Sequence, residues 1–166
     1  MKEKITVPIL YTDRLILNDI TESDAPFIVE LRGDPAVYRY FISPHKITMD
    51  EHLNWYKNKY VYDCNRFDWI AFDDKNEPIG LFGVKRDCET SDIAELSYIL
   101  SMKHYGNGYA EEAVERLITF CKDEWKCRKV IAEIHNENSA SIRFIKRLSF
   151  VPEAKKGEFV IYGKDI

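Results

Sequence analysis

Residues 104–114 read HYGNGYAEEAV, two glycines one residue apart directly ahead of a stretch with helical periodicity. Glycine admits dihedrals and close approaches that a Cβ blocks. A helix starting here leaves its first amides unpaired and presents the positive end of its dipole, so an anion is stabilised at that place. Gly106 and Gly108 therefore stand as either a plain turn or backbone clearance for a phosphate. G-x-G-x-x-G and G-K-[ST] are both absent, which sets aside the dinucleotide fingerprint and the P-loop.

Downstream of the glycines, Ala110, Ala113, Val114, Leu117, Ile118, Cys121 and Trp125 recur at intervals of three and four, which predicts a helix of about four turns. KVIAEIH (129–135) follows with strand character, then NSASIRFIKRLSF with Ile142, Ile145 and Leu148 on one helical face, then two short strands around Lys155 to Glu158. Upstream, residues 67–86 predict a hairpin around DDKNE, and DIAELSYIL a third antiparallel strand. RLILND opens the pattern as a strand. Thr21 and Ser23 are cap candidates for a first helix, and Thr48 with Glu51 forms a capping box for a second. Residues 34–47 are expected to be irregular, with a helical turn at most. The order predicts an α/β (α+β) fold: a mixed, mostly antiparallel sheet of six to seven strands flanked by about four helices. The crossover at the glycines should be right-handed.

A chain of 166 residues with 45% hydrophobic and 31% charged residues suits one domain over 1–166. The net charge of −4, with both signs interspersed, argues against nucleic acid as a partner. No apolar run reaches membrane-spanning or signal-peptide length, so no membrane is expected and the cytoplasm is the expected location. Cys64, Cys88, Cys121 and Cys127 lack C-x-x-C spacing and are expected as reduced thiols, with no metal cluster.

With these elements in order, the chain resembles the GNAT acetyltransferases, in particular the branch related to ribosomal-protein N-terminal acetyltransferases. TDRLIL (12–17) is similar to that branch's opening strand and AELSYIL (94–100) to its fourth. YGNGYAEEA (105–113) is similar to its pyrophosphate loop, and NENSASIRFIKRLSF (136–150) to its last helix. The resemblance implies acetyl-CoA as donor and transfer of the acetyl group to a primary amine. It implies that Tyr105, Gly106, Asn107, Gly108, Tyr109 and Ala110 surround the pyrophosphate. Ile99 and Leu100 would pair by main chain with the pantetheine arm, Asn138 would bond that arm, and Ser141 would face the thiol. Three positions depart from the pattern: Tyr105 replaces Gln or Arg, Ser149 replaces glycine, and Ile145 replaces a tyrosine that protonates the leaving thiolate in some relatives.

Attack on a thioester needs a neutral amine, hence a base or a water path, and a donor for developing negative charge. Glu95, within the A-E-L of the fourth strand, is the first candidate base and Ser141 a candidate donor. Glu133 and His135 share one face of VIAEIH and form a second base candidate. Tyr38, Tyr40, Trp55 and Tyr56 are candidate acceptor walls. The short tail after Phe150 predicts a small hairpin and an open site, or one shared within a homodimer. The acceptor is a peptide N-terminus, an aminosugar or a small polyamine-like molecule. Two other functions compete: an acyl-CoA-binding module of the same fold without catalysis, and a nucleotide-binding α/β domain.

Overall fold

The alternation of AELSYIL sets the two faces of the sheet in the computed structural model, which describes residues 1–166. On β5 (Ile93–Leu100), Ala94 and Leu96 enter the main core, with Tyr98 and Leu100 packed against it. Glu95, Ser97 and Ile99 point the other way, as a period of two requires.

β5 belongs to an eight-stranded sheet of order β1-β2-β3-β4-β5-β6-β8-β7. The other strands are β1 (Leu10–Tyr11), β2 (Ile16–Asp19), β3 (Arg66–Phe72), β4 (Pro78–Lys85), β6 (Lys129–His135), β7 (Val151–Lys156) and β8 (Phe159–Asp165). Every pairing is antiparallel except β5 with β6. The strand beyond the expected six to seven is β1, a two-residue pairing with β2 that has no room for an alternating pattern. The tail also exceeds expectation: β8 pairs along β6 from Lys129↔Asp165 to His135↔Phe159, so the closing hairpin is an integral part of the sheet.

The helices are α1 (Ala25–Arg32), α2 (Pro35–Tyr38), α3 (Met49–Asn58), α4 (Tyr109–Asp123) and α5 (Ser139–Arg147). α2 is the helical turn within the segment read as irregular, capped by Asp34, whose side chain accepts from the Ala36 amide. For α3, Thr48 Oγ1 accepts the Glu51 amide at 3.1 Å as expected. The return half of that box is missing, because the Glu51 carboxylate turns to His45 Nε2 at 3.0 Å.

One face of the sheet carries the main core, where α4 and α5 bury Val114, Leu117, Phe120 and Ile145 against Trp69, Phe82, Val84 and Leu96. The other carries a smaller cluster, Ile20, Ile28, Tyr60 and Ile70, beneath α1 and α3. The large core fixes α4 firmly; the small one leaves α1 and α3 standing over a cavity. Cys121 and Cys127 are buried, Cys64 half-buried and Cys88 exposed, all as free thiols. No helix is long and apolar enough to cross a membrane.

Candidate active site

β5 and β6 pair only at Ile93↔Lys129, Ala94↔Val130 and Glu95↔Ile131. Beyond Glu95 they part, so β5 from Leu96 to Leu100 has no strand on that side, while β4 continues beside it on the other. An unpaired strand edge is a template for another extended chain. The gap opens into a cleft of about 1300 Å³, lined by Gly106 and Tyr109 at one end and by Arg32 and His52 at the other.

At the first end, the amides of residues 106–111 donate to no acceptor in the protein, and the first bond of α4 is Glu112 N–H to the Gly108 carbonyl at 3.1 Å. Six donors in sequence at a helix N-terminus form a cradle for an oxyanion. Gly106 and Gly108 hold φ of 82° and 77°, the left-handed region that glycine occupies without strain. A Cβ on Gly106 would meet nothing within 4 Å, so at that glycine conformation is the requirement and crowding within the protein is not.

Residues of the TDRLIL stretch brace this loop. Thr12 Oγ1 donates to Glu112 Oε1 at 2.6 Å, and the Arg14 amide donates to the same oxygen at 2.8 Å. Arg14 Nε donates to Glu112 Oε2 at 2.7 Å and Nη1 to the Asn107 carbonyl at 2.8 Å, with the guanidinium 4.6 Å from the centre of the Tyr109 ring. Burial pushes the Glu112 carboxyl up, and these bonds outweigh it, so its pKa lies below the ordinary value. Tyr105, Gly106, Gly108, Tyr109 and Ala110 line the cleft. Asn107 does not: its side chain turns back to donate to the His104 carbonyl at 3.2 Å.

On the α5 arm, Asn138 is the N-cap, its Oδ1 accepting the Ser141 amide at 3.3 Å. Ser141 Oγ lies 2.7 Å from Tyr98 Oη, and Phe144 packs edge-on to the Tyr98 ring at 4.9 Å. Burial pushes the Tyr98 phenol up to about 12, against the opposing effect of its bond to Ser141. It therefore carries its proton at neutral pH. Tyr98 is a candidate site residue that sequence reasoning missed. Its parity with Ala94 and Leu96 marks it as core, and only its place on the parting strand could have singled it out. Ile145, at the position where some relatives carry a tyrosine, is fully buried in the core.

Across the sheet, the other side of the cleft, where the candidate acceptor walls lie, is built from side chains. Tyr40 and Trp55 line it, whereas Tyr38 and Tyr56 do not, and Tyr56 stacks on Tyr60 at 5.8 Å. Glu95 sits at the vertex where the strands part, paired with Lys85 at 3.3 Å. Asp68 on β3 is 4% exposed and bonded by Arg66 Nε at 2.9 Å. Burial pushes the Asp68 carboxyl up, opposed by Arg66, Arg32 and Lys85. Asp19 is likewise pushed up by burial to about 6, opposed by the Tyr60 hydroxyl that donates to it at 2.8 Å. Glu133 and His135 do share a face, but His135 Nδ1 accepts the Glu137 amide at 3.1 Å and its ring packs on Tyr40 and Phe159. That nitrogen is committed to the backbone and has no free lone pair for a substrate proton.

Residues 14–151 match the family model of the acetyltransferase (GNAT) domain. The chain is also 30% identical over 148 residues to the N-acetyltransferase p20 of Bacillus licheniformis, covering 87% of this chain and 83% of that one. The chain belongs to the GNAT acetyltransferase family. As a GNAT enzyme it is an N-acetyltransferase with acetyl-CoA as its acetyl donor. The unpaired amides at 106–111 and the open edge of β5 fit that molecule's pyrophosphate and extended arm. The spermidine N(1)-acetyltransferase of Vibrio cholerae is 23% identical, over 91% of this chain and 87% of that one. Among solved structures, spermidine N-acetyltransferase from Vibrio cholerae, in complex with CoA and spermine, has a TM-score of 0.80 at 21% identity. That alignment covers 93% of this chain and 96% of the other, a likeness of fold.

Proposed function

We propose that this chain, acting as one acetyltransferase domain, moves an acetyl group directly from acetyl-CoA to a primary amine, with no acyl-enzyme. The observation that carries this is the alignment of three features along one cleft: the amide cradle at 106–111, the unpaired edge of β5, and the Tyr98–Ser141 pair beside that edge. Acetyl-CoA supplies an acetyl thioester. The amides of Gly106, Gly108, Tyr109 and Ala110 hold its pyrophosphate, the main chain of Ile99 and Leu100 aligns its arm, and Asn138 borders that arm.

Glu95, at the vertex of the strands, takes the proton of the incoming ammonium through water. Tyr98 Oη, bonded to Ser141 Oγ, holds a proton where charge develops on the departing sulfur. The phenol does the work that the core-facing Ile145 cannot do. Tyr40 and Trp55 flank the acceptor. The spermidine acetyltransferases among the relatives support a small amine as acceptor, and the stretches at 12–17 and 94–113 support the branch related to ribosomal-protein N-terminal acetyltransferases.

An acetyl-CoA-dependent thiol-release assay across peptides, aminosugars and polyamines tests the reaction. Tyr98→Phe is expected to lower kcat by about 100-fold, the low end for loss of a general acid, with KM for acetyl-CoA unchanged. Ser141→Ala should cost less, because the phenol remains. Unchanged kcat in Tyr98→Phe removes the phenol from this role. Failure of every amine despite intact CoA binding favours an acyl-CoA-binding module without catalysis.

A further inference from the structure

Several charged groups at the acceptor end of the cleft are paired within the protein. Arg66 is paired with Asp68 at 2.9 Å, Lys85 with Glu95 at 3.3 Å and His45 with Glu51 at 3.0 Å. Arg32, in the last turn of α1, lines the same cleft half-buried, and its guanidinium makes no hydrogen bond or ion pair within the molecule. Its guanidinium carbon lies 5.6 Å from the centre of the Phe41 ring. Burial and the neighbouring Arg66 both act against its charge, with Asp68 and Glu51 giving only distant relief.

A second, independent feature lies beside it. His52 on α3 is 1% exposed and lines the cleft, yet neither ring nitrogen has a hydrogen-bond partner. Nearly all buried polar side chains are bonded, so an orphaned imidazole signals a partner that the protein itself does not provide. Burial and the charge of Arg32 keep the ring neutral, with one N–H to donate.

From these orphaned donors we infer an oxyanion subsite at the acceptor end, built on Arg32 with His52 behind it. The acceptor is therefore an amine that also carries a carboxylate or a phosphate. This rests on the amine acetylation proposed above and narrows its acceptor. A guanidinium offers a planar fork of N–H groups that matches carboxylate and phosphate oxygens, and partial desolvation strengthens such a bond. A polycation would instead meet Arg32 and Arg66, beside which the Asp68 carboxylate is already bonded by Arg66. Arg32 at the C-terminal end of α1 also interacts with the helix dipole, but that role explains neither its side chain reaching the cleft nor the unbonded His52.

The test uses matched amines on protein saturated with CoA, so that the amide cradle at 106–111 is filled. Glucosamine 6-phosphate is compared with glucosamine, and 4-aminobutyrate with butylamine, by calorimetry; the same four, with spermidine, are compared with acetyl-CoA in the thiol-release assay. At least one oxyanion-bearing amine should bind about tenfold or more tightly than its counterpart without the oxyanion and have the lower KM. A phosphate-only or a carboxylate-only preference identifies the oxyanion. Arg32→Gln should erase the difference, Arg32→Lys should retain part of it, and both should bind CoA as the wild type does, which certifies the fold. Equal binding within both pairs, or spermidine as the best acceptor, overturns the subsite while leaving amine acetylation intact. If no amine is acetylated, the function proposed above fails and calorimetry alone decides: anion-selective binding lost in Arg32→Gln sustains the subsite, and its absence overturns it. A loss of stability in Arg32→Gln with unchanged selectivity assigns Arg32 to the helix dipole.

Discussion

The two ends of the cleft are made of different material. The end at 106–111 is main chain: six unpaired amides, two left-handed glycines and, beyond them, an open strand edge. The acceptor end is side chain: Arg32, His52, Arg66, Asp68 and Glu95 arrive from two helices and two strands, with Arg66 paired to Asp68 and Glu95 to Lys85. A backbone site tolerates almost any side chain but no change of conformation, whereas a side-chain site fails when one group is displaced. Substitutions should therefore act on the two ends by different routes.

The largest effect is expected where the acceptor end has least room. A Cβ on Gly83 would stand 2.1 Å from Asp68 Oδ1 and 2.9 Å from Ser97 Oγ, and Asp68 cannot retreat without leaving Arg66. Gly83→Ala is expected to cost about 3 kcal/mol or more, the scale for disrupting a buried ion pair. Urea unfolding measures it. If the variant folds as stably as the wild type, the Asp68 carboxylate is not confined as described.

The amide cradle can be probed at a single donor, with a control for the side chain. Tyr109 is the first residue of α4, where proline is compatible with the helix and the lost N–H has no partner in the protein. Tyr109→Pro, set against Tyr109→Ala to account for the ring, should weaken CoA binding by about tenfold, the lower range for a hydrogen bond to a charged group. Gly108, at ψ 8°, precedes the new ring in a conformation that proline disfavours, so Tyr109→Pro should also melt below Tyr109→Ala, and the affinities are compared at a temperature where both are folded. Equal CoA affinities would mean that this amide does not face the pyrophosphate.

This contrast also explains what could be read from sequence. The glycine turn and the helix start at 106–111 were legible because glycine at positive φ and a helix start leave local marks, as in YGNGYAEEA. The elements followed from periodicity for the same reason, except for the two-residue β1. The acceptor end was not legible, since Arg32, His52, Arg66 and Asp68 are brought together only by the sheet and by the packing of α1 on α3. Tyr38 and Tyr56 were indistinguishable in type from Tyr40 and Trp55; only the fold sorts them. Tyr98 escaped because it serves the core and the cleft from one face of β5.

The brace behind the cradle gives a smaller, pH-dependent effect. Glu112 accepts bonds from Thr12 and Arg14, and its pKa in the folded chain lies below its unfolded value. A depressed carboxyl pKa means that the stabilisation is full above the unfolded value, about 4.3, and is lost as pH falls through the lower folded value. Glu112→Gln should therefore cost about 1–2 kcal/mol at pH 7, reduced from the buried limit because Arg14 is exposed. The gap between variant and wild type should close below about pH 4. CoA affinity should fall with it, because Arg14 also holds the Asn107 carbonyl. A gap independent of pH would show that the carboxylate charge is not what braces the loop.

The smallest effect lies outside both ends, at Ser149, and acts as a control on the comparison. Ser149 follows α5 at φ 68°, with its amide donating to the Lys146 carbonyl at 3.0 Å and the Phe150 amide to the Ile145 carbonyl at 3.3 Å. That is the helix-ending position where glycine is favoured, because a Cβ in the left-handed region is strained. Ser149→Gly relieves that strain but adds freedom to the unfolded chain, so the net gain should be at most about 1 kcal/mol. In a chain of this length it would raise Tm by about 2–4 °C. Because Ser149 touches neither the amide cradle nor the acceptor charges, CoA affinity and kcat should stay at wild-type values. A change in kcat at constant CoA affinity would mean that the end of α5 positions Ser141 against Tyr98, which would tie the helix terminus to the proton held between the two ends of the cleft.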